Sequence, residues 1–231
     1  MTKNKNWQRQ EILAMVWLVG GLALAVAFSL LLNASIPLFT LIFLLFPLIK
    51  LIKHRDAAHI GMGQIPWRDF IKWTVINLAA LIVVYAIFEP WSGAYAYLLE
   101  EATAPGASDP TFAWLTRFDG LAGWAGMFLF SGLISIFAEE LFFRGWLQNA
   151  LRPKMGTLWA NVIQAALFTL PQLIVAFLMP TPVMGLVYGL VYAFGAIGLI
   201  NGWVATKAGT IWPNLVAATL MNLTLSVLIL G

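Results

Sequence analysis

The chain has 231 residues, of which 61% are hydrophobic and 10% charged, with a formal net charge of +3. So little charge excludes an ordinary soluble domain, where about a quarter of residues carry one. Cysteine is absent, which excludes disulfides, a thiolate metal site and a cysteine nucleophile. In chain order, apolar runs of spanning length fall at about 12–32, 36–52, 70–88, 121–143, 158–179, 183–206 and 211–230. The fold class expected is all-α, a polytopic transmembrane helical bundle of about seven spans. The first run is about twice the length of a signal-peptide core and lacks a small-residue cleavage site, so it reads as a retained anchor. The second is short and begins at Pro37, which suits a tilted or interfacial segment.

Basic residues set the orientation. Lys3, Lys5 and Arg9 precede the first run, and Lys50, Lys53, Arg55, Arg68 and Lys72 flank the connection after the second. Arg152, Lys154 and Lys207 fall on that same side, which the positive-inside rule makes cytoplasmic. Glu89, Glu100, Glu101, Asp109 and Asp119 fall opposite, with Arg117 the lone base there. The expected location is the inner (plasma) membrane, multi-pass, with the N-terminus in the cytoplasm. Membrane lipids are expected partners, and nothing in the charge pattern indicates nucleic acid.

Two segments follow from this division: N-terminal spans over 1–120, with loops at 53–69 and 89–120, and a core over 121–231. The stretch Ala104-Pro105-Gly106-Ala107-Ser108-Asp109-Pro110 is turn chemistry, and its loop is expected to be a solvated acidic cap. Gly185 with Gly189, and Gly198 with Gly202, carry the small-residue spacing of close helix packing. Trp67 and Trp73 read as interfacial belt residues.

Glu139, Glu140 and Arg144 stand inside a spanning run. A charge near the middle of a span costs roughly 2.5–3.5 kcal/mol on insertion scales, so three of them need one another or a polar cavity. Glu140 and Arg144 are four apart and share a helix face, so they are expected to pair. Glu139 lies about 100° round the helix, free to face elsewhere and suited to general-base chemistry. On spacing alone, an equally valid reading is a staple between neighbouring helices.

Glu139-Glu140-x-x-x-Arg144-Gly145 on an intramembrane helix resembles the signature of the CAAX-processing and bacteriocin-immunity (CPBP) family of glutamate-dependent intramembrane endopeptidases. Phe168-Thr169-Leu170-Pro171-Gln172 falls where that family's Phe-x-x-x-His motif belongs. Gly209 to Asn222 falls where its His-x-x-x-Asn belongs, with Ala218 at the histidine position, and Gly61 to Phe70 looks like its upstream Gly-x-x-x-x-Pro-Trp-x-Asp stretch. The resemblance implies that Glu139 activates the hydrolytic water, with Glu140 and Arg144 as structural companions. It implies that Asn222 helps hold the oxyanion or a metal. Both motif histidines are missing, replaced by Gln172 and Ala218, and the two histidines of the chain, His54 and His59, lie on a loop.

An oxyanion donor contributes about 10²–10³ in rate and a positioned acid/base about 10²–10⁴. Losing both would remove most of the acceleration. Zinc favours imidazole or thiolate, whereas Glu139, Gln172 and Asn222 offer oxygen, so no metal and no cofactor is expected. Only weakly held Mg²⁺ or Ca²⁺ would suit such oxygens. Gln172 is expected to fill the cavity and hydrogen-bond Glu139. Gln164, Phe168 and Gln172, with Asn214, Ala218 and Asn222, form two i, i+4, i+8 rows expected to make a polar seam toward the carboxylates. Two functions remain. One is a membrane-protein binding, assembly or stabilising subunit with weak or no peptidase activity, partnered by another membrane protein or a hydrophobic peptide. The other is an active endopeptidase on a lipidated or hydrophobic peptide. A transporter would want broken-helix repeats, which the sequence lacks.

Overall fold

The computed structural model describes residues 20, 38–54, 57–103 and 128–230, which are mostly helical with no strand among them. The expected first span, the 104–120 loop and the start of the fourth span lie outside the described residues, Gly20 apart. Helix α1 is Leu38–His54, followed by a tight turn at Ala58–Ile60. Helix α2 is Trp67–Ser92 and α3 is Ala94–Thr103. Helix α4 spans 128–155, joining Phe128–Ser135, Ile136–Glu139 and Glu140–Gln148 to the start of Asn149–Leu178. The backbone breaks at Gly156 (φ 78°, ψ 170°), and α5 takes the rest, 157–178. Helix α6 is Pro182–Ala208 and α7 is Trp212–Leu230.

Among the described residues, Trp67–Ser92, Leu133–Leu178 and Pro182–Ala208 are long and apolar enough to cross a membrane. On α2 the pattern divides by face. Ile71, Val75, Ile82 and Ile87 lie outward, as lipid contact requires, while Thr74, Asn77 and Leu81 are buried. The expected span at 121–143 is too short: α4 stays helical through Arg144 and Gln148. Their polar groups find partners inside the bundle, so the helix has no reason to end at the first charge.

The core is aromatic. Phe43 of α1 meets Phe142 and Phe143 of α4, both with ring centroids 5.0 Å apart, and Phe46 meets Trp146 at 4.5 Å. Phe143 in turn sits edge-on to Phe168 of α5 at 5.2 Å. Such offset and edge contacts add about 0.5–1.5 kcal/mol each beyond area burial.

Helix α6 lies against α5 at van der Waals distance because its contact stripe is glycine. A Cβ on Gly185 would overlap the Ala176 carbonyl, and one on Gly202 would overlap the Asn161 amide. One on Gly198 would come within 2.9 Å of Ala165 Cβ. The expected small-residue packing is therefore present. Over Val187–Ile200 α6 is wound in wide π turns, which redirect carbonyls sideways. Side chains of the facing helices take them up: Gln164 Nε2 donates to Gly198 O at 2.8 Å and Asn161 Nδ2 to Leu199 O at 3.0 Å. Just beyond, Gln148 Nε2 donates to Gly202 O at 2.9 Å. In a bilayer no water is available for those carbonyls, so these amides are structural requirements of the wide helix.

Candidate functional site

Helix α4 presents its two carboxylates differently. Glu140 is buried and fully engaged: Arg144 Nη1 lies 3.3 Å from Oε1, Asn201 Nδ2 donates to Oε1 at 3.0 Å, and Asn214 Nδ2 donates to Oε2 at 2.9 Å. Asn214 also donates to the Asn201 carbonyl at 2.7 Å, and Asn77 of α2 donates to Asn214 Oδ1 at 3.0 Å. One carboxylate thus ties α4, α6, α7 and, through Asn214, α2. Arg144 is also held from other sides, donating through Nη2 to Ile197 O and lying 4.4 Å from the Phe168 ring centroid, while its Nε has no hydrogen-bond partner among the described residues. The expected i, i+4 pair of Glu140 and Arg144 is present.

Glu139 faces a cavity of about 270 Å³ between α2, α3, α4, α5, α6 and α7. Glu140, Gln172, Ala218 and Asn222 share its wall. Of the predicted site residues, Arg144 alone is set behind the cavity. The structure corrects the expectation for Gln172: its Oε1 accepts from Tyr188 Oη at 2.7 Å, and no described residue hydrogen-bonds the Glu139 carboxylate. The amide oxygen is turned to the Tyr188 hydroxyl of α6, a donor, whereas a carboxylate only accepts. The expected polar seam is also partial. Asn214 reaches Glu140, but Gln164 turns to the Gly198 carbonyl.

Tyrosines furnish much of the remaining polar wall. Tyr95 Oη donates to Asn222 Oδ1, and Tyr192 Oη donates to Glu89 Oε2 at 2.7 Å. Tyr85 packs edge-on to Tyr95 with centroids 6.0 Å apart. Glu89, expected in a solvated acidic loop, is instead buried. Its carboxylate accepts the first free N–H groups of α3, from Tyr95 at 3.0 Å and Ala96 at 2.8 Å. It caps α3 after the left-handed turn at Gly93 (φ 62°) has reversed the chain. That reversal brings Tyr95 over the cavity. Tyr188 and Tyr192 sit four apart in an apolar run, a signal that sequence reasoning passed over; the partners of Tyr95 and Glu89 are visible only in three dimensions.

At the opposite end, the Gly61 loop is docked on the motif helix. A Cβ on Gly61 (φ +74°) would lie 2.6 Å from Gly145 Cα, and one on Gly145 would overlap the Ile60 carbonyl. Gly61 O accepts from Ile211 N at 2.9 Å and Thr210 Oγ1 at 3.0 Å. The two glycines of the separate sequence motifs therefore face each other. His59, in the adjoining turn, is exposed and does not line the cavity.

Residues 121–224 match the family model described as Rce1-like, type II CAAX prenyl endopeptidase. No curated protein and no solved structure matches the chain. The matched segment holds the Glu139–Gly145 motif, Gln172, Ala218 and Asn222, and the described helices around them include long apolar ones. The match over residues 121–224, together with the long apolar helices around it, is consistent with a CAAX-protease-like, multi-pass membrane protein of the CPBP type.

Proposed function

We propose that the protein is a CAAX-protease-like membrane subunit without effective peptidase activity, which binds another membrane protein or a hydrophobic peptide and stabilises or assembles it. The observation that carries this reading is the surroundings of Glu139. Where the family motifs would set imidazoles, Gln172 is engaged with Tyr188 and Ala218 offers a methyl group. Neither handles a proton near neutral pH. The Glu140–Arg144–Asn201–Asn214 network, which joins helices, is intact beside it. The location that fits the basic-residue asymmetry is the inner membrane with the N-terminus in the cytoplasm.

One observation favours a second reading, an endopeptidase acting through Glu139 alone: the cavity reaches its carboxylate, which has no hydrogen bond from a described side chain. A cleavage assay on hydrophobic and lipidated peptides separates the two, using wild type, Glu139→Gln and Gln172→His/Ala218→His. The expected result is no turnover by wild type above the Glu139→Gln level, together with a stoichiometric membrane partner retained in mild detergent. Wild-type turnover that disappears in Glu139→Gln overturns the proposal.

A further inference from the structure

The cavity's charges do not balance. Glu139 and Glu140 line it, and Glu89 reaches its edge through Tyr192. Against these three carboxylates stands one guanidinium, Arg144, in direct contact with Glu140. No Lys, Arg or His lines the cavity among the described residues. Glu139 has no hydrogen bond from a described residue and shares Arg144 with Glu140, which is in direct contact with it, so a cation entering the cavity is favourable.

The wall specifies which kind of cation. Tyr85, Tyr95, Tyr188 and Tyr192 all line it. The hydroxyl protons of three are already committed, Tyr95 to Asn222, Tyr188 to Gln172 and Tyr192 to Glu89. These tyrosines therefore leave oxygen lone pairs and aromatic rings, both electron-rich, in the wall. A hard metal ion would want several carboxylate or carbonyl oxygens converging at about 2.0–2.6 Å. Among the described residues no three acidic or histidine side chains converge in this way. Aromatic faces around a single free carboxylate suit an organic ammonium instead. Leu81, Val84, Leu98, Met221 and Leu225 supply an apolar remainder that suits a hydrocarbon tail. At about 270 Å³ the space is close to the ~300 Å³ at which small-molecule sites begin.

We propose that this cavity binds the ammonium head of a small amphiphilic amine, with the charge on the Glu139 carboxylate, the head among Tyr85, Tyr95, Tyr188 and Tyr192, and the tail along the leucine and methionine wall. The site goes beyond the subunit reading and does not depend on it, since the ligand would occupy the same space whether or not peptides are cleaved.

The test is calorimetric titration of the full-length protein in a non-ionic maltoside detergent with phenethylammonium and with its neutral isostere 2-phenylethanol. Wild type is expected to bind the ammonium about tenfold tighter than the alcohol, within the range of a desolvated cation–π and charge contact. Glu139→Gln should abolish that preference, Glu139→Asp should keep part of it, and Tyr188→Leu should weaken ammonium binding with Glu139 intact. Retained thermal unfolding transitions establish that each variant is folded. Equal affinities in wild type, no binding of either compound at millimolar concentration, or a preference that survives Glu139→Gln each overturn the proposal. None of these results depends on whether a peptidase activity or a partner protein is found.

Discussion

Adjacent glutamates on α4 have opposite environments, and the difference is one of partners rather than chemistry. Glu140 receives Arg144, Asn201 and Asn214. Removing Arg144 while leaving that carboxylate buried should be severe: Arg144→Met is expected to cost about 3–5 kcal/mol. Asn214→Ala should cost less, about 1–3 kcal/mol, because Glu140 keeps its ion pair while one oxygen and the Asn201 carbonyl lose a donor. Thermal unfolding in detergent orders the two, and an Arg144 variant as stable as wild type would show that the pair is not a staple. Spacing made this pair legible in the sequence, since four residues on a helix bring two side chains onto one face. The silence around Glu139 was not legible. It depends on which way the Gln172 side chain turns, and its amide oxygen faces the Tyr188 hydroxyl of a neighbouring helix.

At the scale of elements, α3 and α6 carry the lesson. The stretch after Glu89 read as loop because it falls between apolar runs and carries the turn chemistry of Ala104 to Pro110. It is a helix, Ala94–Thr103, because Glu89 satisfies its first N–H groups and Tyr95 docks on Asn222. Glu89→Ala should therefore release α3 selectively, at about 0.5–2 kcal/mol for the lost cap. Hydrogen exchange should rise over 94–103 and stay unchanged in α5 and α6; uniform loosening would mean that Glu89 holds the whole bundle. Helix α6 was legible by length, apolarity and glycine spacing. Its π winding was not, because the winding is sustained by Asn161, Gln164 and Gln148 on other helices.

For the whole molecule, the joint between Gly61, Gly145 and Thr210 locks a connecting loop to the motif helix and to the entrance of α7. Gly61→Ala meets both a positive φ and a backbone contact that cannot yield. It should lower stability by about 1–3 kcal/mol, as overpacking does, and shift the unfolding midpoint more than Gly209→Ala. Gly209 shares the left-handed conformation (φ +71°) but has nothing within 4 Å of a Cβ, so the difference isolates the contact. Contacts of this kind cross the division at residue 120: Asn77 bonds Asn214, and Gly61 bonds Thr210. Residues 57–103 are thus packed into the same bundle as the matched 121–224 segment.

The amino-acid sequence by itself determined the helical membrane class, the glycine-lined packing stripe, the Glu140–Arg144 pair and the placing of Gln172 and Ala218 at the two motif positions. Each follows from composition or from spacing within one helix, where local geometry is set by the backbone repeat. Only the tertiary structure decided which polar groups satisfy one another: Gln172 with Tyr188, Asn222 with Tyr95, and Glu89 with Tyr192 and the start of α3. These bonds join residues from different helices. Inside a bilayer, where water cannot stand in for a missing partner, the packing of those helices chooses among competing acceptors.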